Sequence, residues 1–323
     1  MAKRIIGLDG GGTKTQGVMI DAQGGLLARV VGESSNIQAI GPERLGENLS
    51  ALVHELTAAA GCTSGEVDHL YAGLAGAGRP ADREAISAQV TSRGLAKKHT
   101  IDTDAAAALA GAFGGGPGII VISGTGSICF GKDEKGTLYR CGGWGFKLGD
   151  EGSGYYIGQQ ALIAALKDLD GRGPKTVLRR HYEDKYGLSS VDMIISRVYS
   201  DQIDRTEIAS NAPAVFAAAE AGDAAARQII ESAGREIGRL VAGAARRMGR
   251  AGREVAVALI GSIFHQRQVL MPYMREEALQ AVDHVDFIDP RFEPAVGACI
   301  MGLQQEGVPI TPALLDTMEK ALR

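Results

Sequence analysis

The sequence is poor in the residue types that build metal centres and disulfide frameworks. Its 323 residues include four cysteines, which lie far apart and form no C-x-x-C pair. Zinc sites and iron–sulfur clusters need closely spaced ligands, so neither is expected within one chain, and we expect reduced, mostly packed thiols. The six histidines are equally scattered, with no pair at helical metal spacing, and each is expected to be a surface or satisfied core residue.

A basic charge balance and long apolar runs are also lacking. The net charge is −4, so the chain has no electrostatic footprint for nucleic acid and no such partner is predicted. Apolar stretches are broken by glycine or charge well short of about 20 residues, which predicts no transmembrane helix. The start, "MAKRI", lacks the order of a secretory signal, and we expect a cytoplasmic protein.

Glycine, in contrast, is abundant. The chain has 45, about twice the average share of roughly 7%, without collagen period or low-complexity tract. Such glycines are expected to serve particular turns and close backbone approaches. The length exceeds the usual upper limit of about 250 residues for one domain, so two domains sharing a cleft are expected.

The coarse pattern predicts an α/β protein with mixed sheets flanked by helices. Residues 4–9, 15–21 and 26–32 are predicted strands joined by tight turns, and strand–helix units follow. We place an N-terminal domain at residues 1–114 and a C-terminal domain with a helical insertion at 115–310. The last helix, 311–323, is expected to pack back on the first domain.

An internal repeat supports two related halves. The stretch "IIVISGTGSICFGKDEKGTLYR" has the same plan as "RIIGLDGGGTKTQGVMIDAQGGLLAR": an apolar strand, a glycine–threonine turn, a second strand, an acidic–glycine hairpin and a third strand. A repeated unit of this kind indicates a duplicated architecture.

The first glycine turn, "DGGGTKT", fits neither the P-loop spacing nor the dinucleotide fingerprint, because strand-like residues follow it. It is either a plain hairpin or a nest of amide N–H groups for phosphate oxygens, with hydroxyl donors at Thr13 and Thr15. Asp9 would fit beside phosphate if Mg²⁺ with its waters lay between them. Together with the second turn, "SGTGS", the first turn would bind a polyphosphate from two sides of a cleft.

Asp104 stands where a strand ends and an alanine-rich helix begins, in "TIDTDAAAAL". The structural interpretation is a helix N-cap, which either Asp102 or Asp104 would provide. The functional interpretation is a general base that accepts the proton of an attacking hydroxyl in phosphoryl transfer.

Two further stretches are unusual. "CGGWGFKLGDEGSGYYIG" carries the single tryptophan, Trp144, either as a core anchor or in a glycine-dense loop whose acids, Asp150 and Glu151, would hydrogen-bond sugar hydroxyls. "ALIGSIFHQ" predicts a strand, a turn and a helix, where a flat base would approach the backbone at Gly261 and Ser262.

Taken together, "LDGGGTKT", "TDAAAAL", "ISGTGS", "GGWGFKLGDEGSGYYIG", "LIGS" and "EPAVGACIMG" resemble the BadF/BadG/BcrA/BcrD ATPase family, in its N-acetylglucosamine kinase-like branch of the actin-like ATPase and sugar kinase superfamily. The resemblance covers nearly the whole chain in the right order. It implies two ribonuclease-H-like domains that close over ATP and a sugar.

The resemblance also implies roles for individual residues. Asp104 would be the catalytic base, and Asp9 would contact Mg²⁺ through water. The residues implied to bind ATP are Gly11, Gly12, Thr13, Lys14, Thr15, Gly124, Thr125, Gly261 and Ser262. Those implied to bind the sugar are Asn36, Asp104, Ser127, Gly143, Trp144, Gly145 and Asp150.

The implied activity is ATP-dependent phosphorylation of an amino sugar, N-acetylglucosamine or glucosamine, at O6. The animal enzymes of this branch have an aromatic residue soon after the sugar-contacting Asn, whereas this chain has Gln38, and Phe146 and Lys147 alter the sugar loop. The sugar acceptor therefore stays open, and a homodimer is compatible with the sequence.

Two rival functions use the same fold. An ATPase activator of a radical dehydratase or reductase would need cysteines for a shared iron–sulfur cluster, and only Cys129 and Cys141 lie within twelve positions of each other. A non-catalytic sugar sensor of the repressor type would normally carry a DNA-binding extension, and with the first strand predicted to begin at Arg4 we expect none.

Overall fold

A computed structural model describes residues 3–200 and 202–322 of the chain. Their contacts form two compact units. The first extends to residue 117 and takes in residues 134–136 and the part of the chain from residue 290, and the second comprises residues 118–133 and 137–289. The segment 290–310 thus groups with the first unit, whereas the sequence placed it with the second domain.

The first unit begins with five strands and four helices. They are β1 (Arg4–Gly10), β2 (Lys14–Asp21), β3 (Leu26–Glu33), α1 (Ile37–Ile40), α2 (Pro42–Ala59), β4 (His69–Leu74), α3 (Pro80–Ser92), β5 (Lys98–Thr103) and α4 (Asp104–Phe113). The strands predicted at residues 4–9, 15–21 and 26–32 are confirmed to within one residue at each end.

The second unit holds another five strands and a largely helical insertion. Its elements are β6 (Gly118–Ser123), β7 (Ser127–Lys132), β8 (Leu138–Gly142), α5 (Gly154–Leu169), α6 (Val177–Tyr186), α7 (Ile194–Tyr199), α8 (Arg205–Ala209), α9 (Ala212–Glu220), α10 (Ala224–Arg247), β9 (Glu254–Ile260), α11 (Arg267–Ala278) and β10 (His284–Ile288). The chain then returns to the first unit with α12 (Pro294–Gln305) and α13 (Pro312–Leu322). No helix among the described residues has the length and apolar character needed to cross a bilayer.

Both sheets are mixed and share one plan. The first has the order β3-β2-β1-β4-β5 and the second the order β10-β9-β6-β7-β8. In the first sheet, β1, β2 and β3 form antiparallel pairs, and β4 and β5 run parallel to β1. In the second sheet, β6, β7 and β8 form antiparallel pairs, and β9 and β10 run parallel to β6. The duplication predicted from the repeated strand–turn–strand motif is therefore confirmed.

The first sheet is covered on both faces, as its alternating residues require. Ile6 and Leu8 of β1 belong to the core that contains the buried side of α2, whereas Ile5 packs with α12. Because side chains alternate across a strand, Gly7 and Asp9 share the face of Ile5. Asp9 therefore points to the side of the sheet that α4 and α12 cover.

Three glycines let α4 and α12 approach each other and the sheet closely. A Cβ at Gly7 would overlap the α12 backbone at Ala295 and Cys299. One at Gly297 would overlap the carbonyl oxygen of Ala107, and one at Gly111 the carbonyl oxygens of Phe292 and Glu293. We call Gly7, Gly111 and Gly297 the glycine seam.

The far end of α12 is held by ion pairs. The Glu306 carboxylate accepts hydrogen bonds from Lys98 Nζ at 2.9 Å and Lys3 Nζ at 3.1 Å, and it lies 3.3 Å from the Nδ1 atom of His69. These contacts, with that of Lys98 the strongest, lower the pKa of Glu306 to about 2. The helix is thereby fixed to the amino-terminal ends of three strands, β1, β4 and β5.

We expect Gly297→Ala to lower the free energy of unfolding by about 1 to 3 kcal/mol, because the added methyl group must push α12 away from α4. Thermal and urea unfolding measure the change. The control is Gly65→Ala, whose Cβ would have only the Thr63 hydroxyl as a neighbour, at 3.9 Å. Equal stability of the two variants would contradict a tight seam.

Candidate functional site

The carboxyl ends of the parallel strands β1, β4 and β5 meet at one edge of the first sheet, where Gly10, Leu74 and Thr103 are in register. Ligands of open α/β sheets bind at this edge. Asp9 lies there near the end of β1, Asp104 begins α4, and Glu293 is the N-cap residue of α12. Three carboxylates from distant parts of the sequence are thus brought to one place.

Asp104 is not needed to cap its helix. The N-cap of α4 is Thr103, whose hydroxyl accepts a hydrogen bond from the Ala106 amide. Asp102 is also occupied, since it accepts hydrogen bonds from the Tyr71 hydroxyl and the Thr103 amide, both at 2.7 Å. The Asp104 carboxylate accepts only local bonds, from the Ala105 amide at 2.9 Å and from its own backbone amide, and no side chain in the described part of the chain hydrogen-bonds it.

The electrostatics of this edge favour a positively charged ligand. Burial first, and then the negative charges of Asp104 and Glu293, raise the pKa of Asp9 to about 6, while Lys14 acts in the opposite direction. Burial also raises the pKa of Asp104, against the lowering effect of its backbone hydrogen bonds. A carboxylate with a raised pKa is a common feature of functional sites.

Glu293 is held by two neighbours. Its Oε1 atom lies 2.7 Å from the Arg29 guanidinium, and its Oε2 atom accepts a hydrogen bond from Gln16 Nε2 at 2.6 Å. Gln16 is the register partner of Asp9 on β2. The charge of Glu293 is therefore fixed beside Asp9.

In the first glycine turn, hydrogen bonds hold Gly11 in place, whereas the space around Gly12 is not filled by protein atoms. The Gly11 amide donates to the Lys14 carbonyl at 3.0 Å, and the Gly11 carbonyl accepts from the Ser34 hydroxyl at 3.0 Å. A Cβ on Gly12 would have no protein atom nearer than Asn36 Nδ2 at 4.0 Å, and the backbone of Gly12 is not in the left-handed region. Thr13 and Lys14 are exposed. The protein itself therefore gives no steric reason for glycine at position 12.

Thr15 does not fit the expected role of a hydroxyl donor to phosphate. Its side chain is buried, and the hydroxyl lies 2.7 Å from the Glu33 carbonyl, to which it donates, and 2.8 Å from the Ser35 hydroxyl. The residue holds the turn to the end of β3.

Asn36 lies beside this turn. It is the N-cap residue of α1, and its Oδ1 atom accepts a hydrogen bond from the Gln38 amide at 3.0 Å. Gly76, in the loop after β4, packs so closely that a Cβ there would be 2.8 Å from the same oxygen. The first unit thus groups Asp9, Gly12, Asn36 and Asp104 at one edge.

The second unit contains a cavity of about 380 Å³. Of the residues implied by sequence, Gly124, Thr125 and Ser262 line it. The other lining residues are Gly154, Thr206, Ala209, Ser210, Ala212, Pro213, Phe216, Ile263, His265 and Gln266. A Cβ on Gly124 would meet no atom within 4 Å, and its backbone is not left-handed, so this glycine also leaves space that the protein does not fill.

Gly261 has a structural role. Its φ of 111° is in the region that favours glycine, and a Cβ there would overlap the backbone of Ser123. The residue lets the end of β9 turn away closely beside β6, which places Ser262 at the cavity.

The loop between β8 and α5 is built around Asp150. This residue is buried, with a φ of 62°, and is the only non-glycine residue with positive φ among those described. A Cβ on Gly126 would be 2.8 Å from its carboxylate, so the acid packs against the second glycine turn. The Ser127 hydroxyl is buried too and donates to the Glu151 carbonyl at 2.7 Å, so its proton is already engaged.

Trp144 is not a core anchor. It is 63% exposed, and the Arg140 guanidinium lies 4.4 Å from the centre of its ring. Gly143 and Gly145 on either side both have positive φ. An aromatic face is therefore held at the surface of the loop, which is the arrangement needed for contact with a ligand.

The described residues contain no group of three or more His, Cys, Asp or Glu side chains arranged to hold a metal ion directly. Cys129 and Cys141 are opposite each other on β7 and β8, and burial raises the pKa of both thiols. They are free, as are Cys62 and Cys299.

Comparison with known proteins agrees with this architecture. The profile of the BadF/BadG/BcrA/BcrD ATPase family matches residues 6–302. The chain belongs to this family. It is 34% identical over 299 residues to an N-acetylmuramic acid/N-acetylglucosamine kinase of Clostridium acetobutylicum, covering 93% of this chain and 98% of that one.

A second relative is the N-acetyl-D-glucosamine kinase of Dictyostelium discoideum, 28% identical over 95% of this chain and 100% of that protein. A solved structure from Chromobacterium violaceum, provisionally assigned as an N-acetylglucosamine kinase, superposes with a TM-score of 0.70 at 27% identity, covering 94% of this chain and 99% of the other. The fold of the family member described here is that of the actin-like ATPases, with two mixed five-stranded sheets flanked by helices.

Sequence reasoning missed two parts of the site. It included Glu293 only within the motif "EPAVGACIMG", and it gave no role to the cavity residues of α8 and α9. The small residues of "ASNAPAVF" look like ordinary packing positions, so no pattern in the sequence distinguishes them.

We expect Asp9→Asn to raise the thermal stability of the unliganded protein. The folded-state pKa of about 6 exceeds the ordinary 3.8, so ionised Asp9 opposes folding, and stability falls as pH rises between these values. At pH 7 the variant should gain up to about 3 kcal/mol, and the gain should vanish below about pH 4.

Asp68→Asn is the control of opposite sign. Burial raises the pKa of Asp68, but hydrogen bonds from Lys97 and the Arg4 amide outweigh it and leave the pKa lowered, so this variant should lose stability at pH 7. A destabilised Asp9→Asn would show that the neighbouring charges do not act as described.

Proposed function

We propose that this protein is an ATP-dependent kinase that transfers the γ-phosphoryl group to a hydroxyl of an amino sugar. The observation that carries the proposal is Asp104, a carboxylate freed from helix capping and placed at the same sheet edge as the open glycine turn. The activities of the relatives, which act on N-acetylglucosamine and N-acetylmuramic acid, support the substrate class.

ATP is assigned to residues of both units. Backbone amides of the turn at Gly12 and Thr13, with Lys14, would bind phosphate oxygens, because such turns present N–H groups to an anion. The Gly11 amide is bonded to the Lys14 carbonyl, so we assign Gly11 to shaping the turn. Gly124 and Thr125 would contact the phosphates from the second turn. The adenosine would occupy the cavity of about 380 Å³ beside Ser262. Thr15 and Gly261 then act indirectly, by shaping the turns.

Mg²⁺ fits the first turn through Asp9. Burial first, and then the negative charges of Asp104 and Glu293, raise the pKa of Asp9, so a bound cation would stabilise its ionised form. Mg²⁺ usually keeps several waters and needs only one or two carboxylates in addition to phosphates. When bound, the ion would neutralise charge on the transferred group, and Asp9 would hold it through water.

Asp104 is assigned as the general base. It would accept the proton of the attacking hydroxyl, for which we retain O6, as the new P–O bond forms and the bond to the leaving ADP breaks. A base works best when its pKa is not far below the working pH, and burial shifts Asp104 in that direction. Most of the remaining acceleration would come from positioning the two reactants.

The sugar is assigned to Asn36 and Asp104 and to the loop of the second unit. Trp144 offers an apolar face for the ring, and the positive-φ glycines Gly143 and Gly145 offer backbone groups near it. Asp150 and Ser127 are buried, so we assign them to shaping the loop, with their remaining acceptor capacity open to a hydroxyl.

We expect Gly124→Ala and Gly12→Ala to fold normally and to bind ATP at least about 10-fold more weakly, because each new methyl group enters space that only the ligand uses. Gly→Ala at a relaxed position tends to stabilise by about 0.4 to 1 kcal/mol, so the melting temperature should be unchanged or higher. Calorimetric titration with a non-hydrolysable ATP analogue measures the binding.

Gly65→Ala is again the control and should bind the analogue like the parent protein. Normal binding by both Gly124→Ala and Gly12→Ala would contradict the placement of phosphates at the two turns.

We expect Asp104→Asn to lower kcat by about 10²- to 10⁴-fold while ATP binding and stability are kept. Coupled ADP release with N-acetylglucosamine, N-acetylmuramic acid, glucosamine and glucose measures turnover. In the parent protein kcat should fall as pH drops through the raised pKa of Asp104, because the base is then protonated. Glu55→Gln, on the exposed side of α2, is the matched surface control.

Near-normal turnover of Asp104→Asn would remove its catalytic role. If no amino sugar raises ADP release above the sugar-free rate, the kinase assignment itself fails.

A further inference from the structure

The loop between β4 and α3, residues 75–79, carries a cation that the proposed reaction leaves unused. The loop follows Leu74, which is in register with Thr103, so it lies one strand away from Asp104. Its first amide, of Ala75, donates to the Gly10 carbonyl at 2.7 Å, next to the first glycine turn. The loop therefore belongs to the same sheet edge as the catalytic residues.

The other side of this loop contacts the sugar-binding residue. Gly76 packs against Asn36 and the side chains of Ile37 and Gln38, with 3.3 Å from its ideal Cβ position to Gln38 Cγ. In chain order, Arg79 is only three residues beyond Gly76, a span of at most about 11 Å between Cα atoms. An arginine side chain reaches a good part of that distance.

Two arginines of this region have different roles. Arg83 is used by the protein, since its Nε atom donates to the Ala77 carbonyl at 2.7 Å and so holds the loop to α3. Arg79 is exposed, and no ion pair or side-chain hydrogen bond to it occurs within the described part of the chain. Lys14, the other exposed cation of this edge, is already assigned to phosphate.

The neighbouring residues are polar rather than aromatic. Gln38 is exposed beside Asn36, where the animal sugar kinases resembled by this chain have an aromatic ring. A glutamine side chain offers a sugar ring less apolar surface than an aromatic ring does, but its amide hydrogen-bonds a polar substituent. Gln38 lies beside Asn36 and Arg79 ends the loop that packs on it, so both are candidate donors to a sugar substituent. Asp82, in the first turn of α3, is the acid nearest to Arg79 in sequence, and no ion pair between them occurs among the described residues.

We propose that Arg79 binds a carboxylate carried by the sugar, so that the substrates include an amino sugar acid. This rests on the proposed function and defines its substrate class more closely. A guanidinium pairs with a carboxylate through two parallel hydrogen bonds, which makes it well suited to select an acidic substituent over a hydroxyl. An uncharged amino sugar would bind without this contact.

The test compares N-acetylmuramic acid, its methyl ester and N-acetylglucosamine as acceptors. The parent protein should phosphorylate the acid with kcat/KM about 10-fold or more above that of the ester. Arg79→Ala should lower kcat/KM for the acid by about 10- to 100-fold, mainly through KM, since a hydrogen bond to a charged group is lost. Activity on N-acetylglucosamine should stay within about 3-fold.

Arg79→Lys should be intermediate for the acid, because it keeps the charge and loses the two-bond geometry. Arg180→Ala, which removes an exposed arginine paired with Asp184 on α6, is the control and should match the parent protein.

Several outcomes overturn the proposal. One is phosphorylation of N-acetylglucosamine but not of the acid, and another is equal loss on both sugars in Arg79→Ala. An increase of KM for ATP in Arg79→Ala with every sugar would assign the arginine to nucleotide instead. Absence of turnover with all acceptors would instead refute the kinase function, and this inference with it.

Discussion

The close packing of α4 and α12 on the first sheet is the constraint on which the candidate site depends. Each helix has a carboxylate at its amino end, Asp104 on α4 and Glu293 on α12. Burial and the negative charges of both residues raise the pKa of Asp9 on β1. Three residues without side chains, Gly7, Gly111 and Gly297, make this approach sterically allowed. Wider spacing would leave more water between the acids and return the pKa of Asp9 toward its ordinary value. The three acids repel one another, so the close packing of the backbone is what holds them together.

In each glycine turn, some hydroxyl groups are bonded within the protein and hold the turn in place, and others are exposed at its tip. Thr15 and Ser127 stand at corresponding places in the repeat, at the start of the strand after each turn, and both hydroxyls are buried and bonded to carbonyl oxygens nearby. Thr13 and Thr125, within the turns, are exposed. The duplicated pattern therefore yields the same arrangement twice, a rigid base with an open tip. Glycines 12 and 124 are open in the same way, which suits a backbone that receives a bulky anion.

Much of this could be predicted from sequence, because the signals are local. Apolar runs joined by a tight turn in residues 4–21 predicted β1 and β2, the repeated strand–turn–strand plan identified the second sheet, and the position of Asp104 between strand and helix marked it as special. The remainder depends on partners far away in the chain. Nothing near Thr15 reveals that Ser35 will engage its hydroxyl, and nothing near Glu293 reveals Arg29. The cavity wall from Thr206 to Phe216 is made of residue types that also fill cores, so only the fold shows that one side of them is open.

The first unit is discontinuous in sequence, and this affects how it can form. Ile5, Val18 and Ile20, from the first strands made, are covered by Val296, Ile300 and Met318, which come almost three hundred residues later. During synthesis in the N-to-C direction, one apolar face of the first sheet must wait for α12 and α13 while the whole second unit is produced. A nascent chain that has emerged without α12 and α13 has that face uncovered, and uncovered apolar sheet surface is prone to association. Correct assembly of the site thus depends on a segment that is translated only after the whole second unit.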